Sequence, residues 1–537
     1  MRTIQNLFMA LVMTAATLAA QGPLQGPLIG LVVNAASGNP PGLPNSGIAQ
    51  GSLVKIWGFG LGGTLEIAPQ PLPMSLAGTS VTITVNGTTV TAPICWTQWN
   101  QVGAVVPSNT PVGTGMLTLT YNGNSGSSPI TIVPTNFGIY NATVDVSNAS
   151  GLLNLASVTF PDYEYVTVTN TAKPGDTLTV WGTGLGATPN NGGDTDAASE
   201  ANIGNAPQVF VGGIPSPSVT YWGRSPNTIP GLDQINFVVP QDAPLGCNVS
   251  IVVQTDPVTV SNAPTIALAT TDGAICSDPT QVLPPSLSKS GLKVMFLTLS
   301  DVSNPNSNGM NATTYSSARV LFFEFDQALP VSETQGELGV SPSLGNCYTE
   351  SLVPGGGDDG LSVSALNVGT LITLTPSSGN AITLGTPGSG YFISTNSSNL
   401  LPSGSWSFSN GGGGSDIGPL SFTFTVPQQV VWTNQAAVSG SPIDRASPLK
   451  ITWTGGDSNG YVHISGYSGE AGFECSAATS AGEFIIPTSI LLGLPAGAQS
   501  SISVSTQTFP FSFSAVPGLD LVEDISTFTV SVSVVFK

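Results

Sequence analysis

Charged residues are scarce in this sequence, and basic residues are the scarcest. Only 7% of the 537 residues are charged, with 10 Lys and Arg against 30 Asp and Glu, which gives a formal net charge of −20. A protein that binds nucleic acid needs clustered Lys and Arg to neutralise the phosphates. The sequence contains no basic cluster, so we expect no nucleic-acid partner.

The side chains that catalysis uses are also few. The single histidine, His463, alternates with Val462 and Ile464, which predicts an exposed position on a strand. The sequence has no Gly-x-Ser-x-Gly elbow and no Cys-x-x-Cys pair, so it indicates neither a serine hydrolase nor a zinc site. We therefore predict a protein that is not an enzyme and needs no cofactor or metal. A hydrolase with its site in residues 285–537 is an alternative.

Two ligand-binding patterns are only partly matched. Gly58, Gly60 and Gly62 resemble part of a nucleotide-binding fingerprint, but the prolines that follow exclude the helix that such a site requires. Acidic and amide residues between Asn190 and Glu200 leave calcium binding open, although their spacing differs from that of an EF-hand.

Long apolar runs are absent beyond the N-terminus. Arg2 precedes a short apolar run from Leu7 to Ala16, and small residues follow as far as Ala20. This pattern predicts a signal peptide over residues 1–20. Because no later stretch is long enough to span a bilayer, we expect no membrane span in the mature chain. The protein is expected to be secreted or held at the cell surface, with the periplasm as an alternative.

Glycine, proline and β-branched residues are abundant, with 64 Gly and 43 Pro among short runs of alternating apolar residues. Short strands separated by turn residues are typical of β-sandwiches. The sequence therefore predicts an all-β chain of tandem immunoglobulin-like sandwiches.

The five cysteines suit a protein exported to an oxidising compartment. Cys247 starts one predicted strand and Cys276 follows the next apolar run, so an antiparallel hairpin would bring the two together. We predict a disulfide between them. Cys347 with Cys475 is a weaker candidate pair, and Cys95 is interpreted as a buried free thiol.

One stretch occurs twice. Gly51–Gly62 and Gly175–Gly186 both consist of a strand with alternating apolar residues that ends in a glycine-rich turn. Further matching segments lie on both sides of each copy. The second copy carries a short insertion, which falls most simply between Thr188 and Asn202, where a surface loop would tolerate it.

The repeated pattern resembles a known family. The matching residues in the first copy are Asn34–Ser37, Gly51–Gly62, Pro71–Gly78, Val85–Gly87 and Gln101–Gly113. They are similar to the IPT/TIG-like immunoglobulin-fold module, and more narrowly to the uncharacterised module abundant in secreted acidobacterial proteins. The resemblance covers roughly residues 30–270 and implies the fold without any catalytic residues. The second copy lacks the Pro-Leu-Pro-x-Ser-Leu segment.

We predict four domains behind the signal peptide. Residues 21–135 and 136–280 are the two IPT/TIG-like modules, residues 281–426 an all-β domain, and residues 427–537 a C-terminal immunoglobulin-like sandwich. The cores of the modules are expected around four residues: Ile56, Val105, Val180 and Val238.

The composition favours a structural, adhesion or protein-interaction role outside the cell. The alternative is a carbohydrate-binding protein that uses an exposed aromatic platform of Trp96, Trp99 and Trp222. The expected partners are cell-surface proteins or polysaccharide. The two modules are predicted to do no chemistry and to serve as rigid spacers, because they contain few ionisable side chains.

The predicted signal peptide is directly testable. If the leader is removed after the small residues, N-terminal sequencing of the native protein should start close to Gln21. Recovery of the chain from the cytoplasm with Met1 intact would contradict export.

Overall fold

The computed structural model describes residues 26–141, 155–189, 193–196, 201–277, 290–304, 313–325, 342–351, 363–385, 391–395, 401–497, 499–507 and 516–537. Its regular structure is almost entirely β-strand in several sheets, which confirms the predicted all-β class. The predicted signal peptide lies outside the described residues. In the described part, no helix has both the length and the apolar character needed to cross a bilayer.

The first module is a sandwich of two five-stranded sheets. Its strands are β1 (Leu28–Asn34), β2 (Ile48–Ala49), β3 (Leu53–Phe59), β4 (Glu66–Ile67), β5 (Thr79–Val85), β6 (Thr88–Ala92), β7 (Ile94–Gln98), β8 (Gln101–Val105), β9 (Gly113–Tyr121) and β10 (Asn124–Val133). One sheet has the order β1-β3-β8-β7-β4 and the other β2-β10-β9-β5-β6. Alternate residues of both sheets, such as Ile56 and Ile83, meet in a buried core between them.

The second module repeats this architecture. Its strands are β11 (Gly138–Ile139), β12 (Val158–Thr159), β13 (Thr177–Thr183), β14 (Gln208–Val211), β15 (Ile214–Pro215), β16 (Val219–Arg224), β17 (Asp233–Val238), β18 (Gly246–Asp256), β19 (Thr259–Val260) and β20 (Thr265–Leu268). One sheet runs β11-β13-β17-β16 with β12 beside β13, and the other runs β15-β14-β18-β19 with β20 beside β18. The two modules are therefore tandem immunoglobulin-like sandwiches.

The repeated glycines allow a close strand approach at equivalent places. A Cβ on Gly58 would collide with the carbonyl oxygen of Leu28 on the neighbouring strand. A Cβ on Gly182 would collide in the same way with the carbonyl oxygen of Gly138. Both glycines thus let the first strand of a module pair closely with its glycine-ended strand, which explains why the pattern recurs.

The C-terminal half combines a thirteen-stranded sheet with a three-stranded sheet. Its first strands are β21 (Leu292–Asn304), β22 (Thr313–Phe325), β23 (Asn346–Ser351), β24 (Val363–Ala365), β25 (Leu371–Pro376), β26 (Ile382–Gly385), β27 (Tyr391–Thr395), β28 (Gly404–Ser409) and β29 (Ser421–Val426). The remaining elements are β30 (Val430–Trp432), helix α1 (Gln435–Ser439), β31 (Leu449–Gly455), β32 (Tyr461–Ser468), β33 (Ala471–Ala478), a 3-10 turn (Thr479–Ala481), β34 (Glu483–Ile486), helix α2 (Thr488–Leu491), β35 (Ser500–Gln507) and β36 (Leu521–Val534).

The large sheet does not follow the predicted division at residues 426 and 427. Its order is β23-β33-β32-β35-β36-β21-β22-β27-β26-β25-β28-β29, with β24 beside β22. β21 pairs in parallel with β36, and β23 pairs antiparallel with β33. The sulfur atoms of Cys347 and Cys475 lie 1.97 Å apart across this second pair. Strands from both predicted domains therefore share one sheet.

The core of the second module differs by one residue from the sequence-based expectation. Phe237 is fully buried beside Leu178 and Val180, whereas Val238 is half-buried on the other face of β17. Successive strand residues point to opposite faces, so a choice that is wrong by one position reverses the side chain. Val105 is likewise buried on the outer face of its sheet, in a small cluster with Leu53.

This difference predicts unequal effects of two neighbouring substitutions. Phe237→Asp should unfold the second module, because losing the ring alone costs about 3–5 kcal/mol and the carboxylate would be buried without a partner. Val238→Asp should cost about 1 kcal/mol, as is typical of a point substitution outside the core. Urea denaturation of the full chain, followed by circular dichroism, measures both. Equal destabilisation by the two substitutions would contradict the assigned core.

Candidate functional site

A group of exposed aromatic side chains lies on the outer face of one sheet of the first module. On β3, Lys55 and Trp57 point away from the core, which receives Val54 and Ile56. The register places Lys55 opposite Gly103 and Trp57 opposite Gln101. Strand alternation thus gathers these side chains on one face.

Trp96 lies across this face rather than standing on it. It is paired with Gly103, and a Cβ at Gly103 would collide with the six-membered part of the indole ring. The indole Nε1 donates to Gln101 Oε1 at 3.3 Å, and Gln98 Nε2 donates to the same oxygen at 3.3 Å. The missing side chain at Gly103 and the bond to Gln101 therefore hold the ring flat against the sheet.

Two more rings extend the surface at the end of the strands. Phe59 is 61% exposed and Trp99 is 54% exposed, with ring centroids 6.0 Å apart. Trp57 is 39% exposed, and the Lys55 ammonium lies 5.8 Å from the centroid of its ring. Burial lowers the pKa of Lys55. We call Trp57, Phe59, Trp96 and Trp99 together the aromatic face.

Trp222 does not belong to the aromatic face. It lies in the second module, is paired with the core residue Ile235, and packs against the core of that module. Tyr221, opposite Asn236, occupies the register position that corresponds to Trp96 opposite Gly103. Trp96 and Trp99 therefore lie together, whereas Trp222 lies apart from them. Trp222 is one residue beyond the position equivalent to Trp96, so its side chain points to the opposite face, toward the core.

Trp57 and Phe59 belong to the aromatic face but are absent from the platform predicted from the sequence. The recurrence of Trp57 as Trp181 in the second copy of the repeat favours internal packing when the sequence alone is considered. The signal that could have found it is alternation from the buried Val54 and Ile56, which places Trp57 on the outside.

The predicted cysteine pair is adjacent in the structure. The sulfur atoms of Cys247 and Cys276 lie 2.06 Å apart, and their Cα atoms 5.3 Å apart. Cys95 is buried with a free thiol, and burial raises its pKa to about 12. A thiol with so high a pKa is a poor nucleophile at neutral pH, so Cys95 acts as a small apolar side chain.

A buried ion pair lies at the junction between the two modules. Arg224 is 2% exposed and Asp233 is fully buried, and the guanidinium Nη1 contacts Asp233 Oδ1. Arg224 Nη2 donates to the carbonyl oxygen of Gly51 in the first module at 2.6 Å and to that of Gly186 at 3.0 Å. One arginine thus connects both copies of the repeated glycine segment.

Asp233 has further donors around it. Its Oδ2 accepts the backbone N–H groups of Gly184 at 2.7 Å and Leu185 at 2.9 Å. Burial raises the pKa of the Asp233 carboxyl, while the Arg224 charge and the two N–H donors oppose that rise. This arrangement supplies the hydrogen bonds that a buried charge requires.

Side chains of both modules complete the junction. Asn34 Nδ2 donates to the carbonyl oxygens of Asn136 at 3.2 Å and Thr183 at 3.1 Å. The Thr183 hydroxyl accepts the N–H of Leu53 at 2.8 Å and donates to Gly231 O at 2.7 Å. The side-chain contacts of Asn34, Thr183, Arg224 and Asp233 are called the junction network below.

The insertion in the second module also contacts the first. Asp194 is 3% exposed, and its two carboxylate oxygens accept the N–H and the hydroxyl of Ser108, each at 2.8 Å. Thr195 O accepts the N–H of Leu72 at 2.8 Å. Of the residues considered for calcium, Asn190 and Glu200 lie outside the described residues. In the described part of the chain, no three His, Cys, Asp or Glu side chains are placed to hold a metal ion.

His463 is less exposed than the sequence indicated. Its side chain is 13% exposed, and its Nε2 lies 3.2 Å from Glu474 Oε2, which also accepts the Tyr348 hydroxyl at 2.8 Å. Ser476 on β33 and Ser505 on β35 lie opposite His463, and the Ser505 hydroxyl is 2.8 Å from that of Thr529. The contacts of His463 are thus those of a cross-strand polar cluster.

Comparison with known proteins gives no family assignment. No family model matches the chain. No curated protein matches it either. Among solved structures, titin Ig tandem domains A164-A165 are similar at 9% identity and a TM-score of 0.13, over 46% of this chain and 97% of theirs.

Two bacterial structures are similar at the same low level. A structure solved to explain host cell surface retention of a 1.5-MDa bacterial ice-binding adhesin is 13% identical, with a TM-score of 0.13. The similarity covers 67% of this chain and 91% of that one. The Bacteroides ovatus glucan utilization protein SGBP-B, solved with a mixed-linkage heptasaccharide, gives 12% identity, a TM-score of 0.13, and coverage of 86% and 96%. TM-scores this low do not establish a shared function, and the fold assignment rests on the arrangement of the sheets described above.

The polar cluster around Glu474 predicts a pH effect. Burial acts to raise the pKa of Glu474, but the hydrogen bond and charge interaction with His463, together with the hydrogen bond from Tyr348, outweigh it and hold that pKa below its usual value. A lowered carboxyl pKa adds stability above the unfolded-state pKa, and this is lost as pH falls through the folded-state pKa. The destabilisation caused by Glu474→Gln should therefore shrink between roughly pH 5 and pH 3.

Urea denaturation at several pH values in that range measures this effect. Glu483→Gln is the matched control, because Glu483 is half-exposed and its partner Lys450 is similarly exposed. A destabilisation by Glu474→Gln that stays constant over the range would contradict the lowered pKa.

Proposed function

We propose that this chain is an exported, non-enzymatic protein that presents its surfaces at a fixed geometry outside the cell. Its role would be adhesion, interaction or spacing at the cell surface, and its first two modules would be of the IPT/TIG type. The observation that carries the proposal is the junction network, which joins two sandwiches through a buried arginine and aspartate.

The buried charge of Arg224 favours one relative orientation of the two modules. Opening the junction would remove the Gly51 carbonyl from the buried Arg224 guanidinium, which stays paired with Asp233 inside the second module. A hydrogen bond to a charged group contributes about 1.5–3 kcal/mol. Two domains joined only by a flexible linker would have no such penalty. The contacts of Asp194 with Ser108 add a second anchor at the same junction.

The second module is also fixed to the C-terminal half. Val252 and Ala263 of the second module share a buried apolar cluster with Trp432 and Phe473. The N–H of Asn248 donates to the Ser343 hydroxyl at 2.8 Å. Apolar burial and hydrogen bonds across this boundary support a single scaffold rather than independent domains.

Two features support a position outside the cytoplasm. The N-terminal pattern of Arg2 and the apolar run is that of a signal peptide. The sulfur atoms of Cys247 and Cys276, and those of Cys347 and Cys475, lie at bonding distance, and disulfides persist in oxidising compartments. The sparse charge of the chain and the cross-strand bonding of His463 favour a role without catalysis.

The rigidity of the junction can be tested by removing its arginine. Arg224→Met keeps an apolar side chain in place but leaves Asp233 without its cation, so we expect a loss of about 3–5 kcal/mol in the free energy of unfolding. Hydrogen exchange at the amides of Gly184 and Leu185 should accelerate. Small-angle scattering should show a broader distance distribution than that of the native chain.

Lys173→Met is the matched control. Lys173 forms ion pairs with Asp176 and Asp272 at the surface, where solvent screens the charges, so its loss should change the stability little. If scattering showed that the two modules of the native chain move independently, the proposal of a rigid scaffold would be wrong.

A further inference from the structure

We propose that the aromatic face of the first module binds a neutral polysaccharide. This goes beyond the scaffold role, because a rigid spacer needs no exposed rings. The proposal rests on the arrangement of Trp57, Phe59, Trp96 and Trp99 with the amides of Gln98 and Gln101 on one sheet face.

The aromatic face is the uncovered part of a face that is elsewhere buried. At the end of the sheet near the junction, Leu53 and Val105 are buried together with Leu72. Further along the same strands, Trp57 and Phe59 are exposed, and Trp99 in the following turn is exposed as well. Exposed rings grouped on a sheet face mark a site of interaction.

The rings are held in place before any ligand arrives. Trp96 is fixed by its seat on Gly103 and by its bond to Gln101. Phe59 and Trp99 contact each other, and Trp57 lies beneath the Lys55 ammonium. Because little side-chain freedom remains to be lost, such a surface can bind without a large ordering cost.

The mixture of rings and amides fits a sugar better than an apolar protein surface. A pyranose presents C–H groups on its faces, which stack on aromatic rings, and hydroxyl groups at its edges, which hydrogen-bond with amides. Gln98 and Gln101 lie beside the rings in the same register row. Flat rings with a few placed polar groups are the usual composition of small-molecule sites.

Charge decides between the possible occupants. Lys55 is the only charged residue of β3, β7 and β8, and its ammonium lies over Trp57. The chain has a net charge of −20, which would repel an anionic polysaccharide and equally a second copy of itself. A neutral polysaccharide meets no such repulsion.

The test uses the full mature chain and a panel of neutral polysaccharides: cellulose, chitin, xylan, mannan and amylose, with alginate as an anionic comparison. Depletion binding and affinity electrophoresis give the dissociation constants. The native chain should bind at least one neutral member. Trp57→Ala and Trp99→Ala should each weaken binding about tenfold, because truncating an anchoring aromatic costs that much at an interface.

Two further variants sharpen the result. Tyr163→Ala removes an aromatic ring that is 73% exposed on the second module and should leave binding unchanged. Gln101→Glu keeps the oxygen that accepts from Trp96 but removes the amide N–H donors, so it should weaken binding as well. Thermal unfolding of every variant confirms that folding is intact, and a blue shift of tryptophan fluorescence on binding reports burial of the rings.

Three outcomes would overturn the proposal. The first is failure of the native chain to bind any neutral member of the panel. The second is binding that the ring substitutions leave unchanged. The third is self-association in sedimentation velocity that Trp57→Ala and Trp99→Ala abolish, which would make the aromatic face an interface between two copies of this chain.

Discussion

The buried pair of Arg224 and Asp233 is the constraint on which the arrangement of the modules depends. An ion pair without solvent is stable only when hydrogen bonds satisfy its remaining donors and acceptors. Here the carbonyl oxygens of Gly51 and Gly186 and the N–H groups of Gly184 and Leu185 supply such bonds, while the Nε of Arg224 is buried without a partner among the described residues. Because one partner, the carbonyl of Gly51, belongs to the first module, the hydrogen bonding of Arg224 depends on the position of that module.

The position of the first module has a consequence for its own surface. The sheet face that carries Leu53 and Val105 is buried near the junction, and the same face carries the aromatic rings farther away. One sheet thus supplies both a fixed contact and an open surface. A rigid junction would present that surface at a constant orientation, which is useful to a protein that binds an extended ligand.

The C-terminal half shows how non-local pairing controls architecture. β21 and β36 lie side by side although more than two hundred residues separate them in sequence. Cys347 and Cys475 face each other across another such pair, so the chain is closed on itself at two places. Closing long loops costs entropy, which the apolar burial of residues such as Phe473 and Ile464 offsets.

Local sequence patterns were enough to predict the all-β class, the tandem repeat and the strands around Trp57 and Trp181, because these features depend on alternation and on glycine and proline. Three features emerge from the assembled sheets alone: Phe237 rather than Val238 lies in the core, Trp222 packs against the core, and strands on both sides of residue 426 share a sheet. The sheet face on which a side chain lies depends on the register of a single residue, and the pairing of strands depends on contacts between distant segments. Neither is encoded in a local pattern, and the same holds for Arg224, whose partners come from both modules.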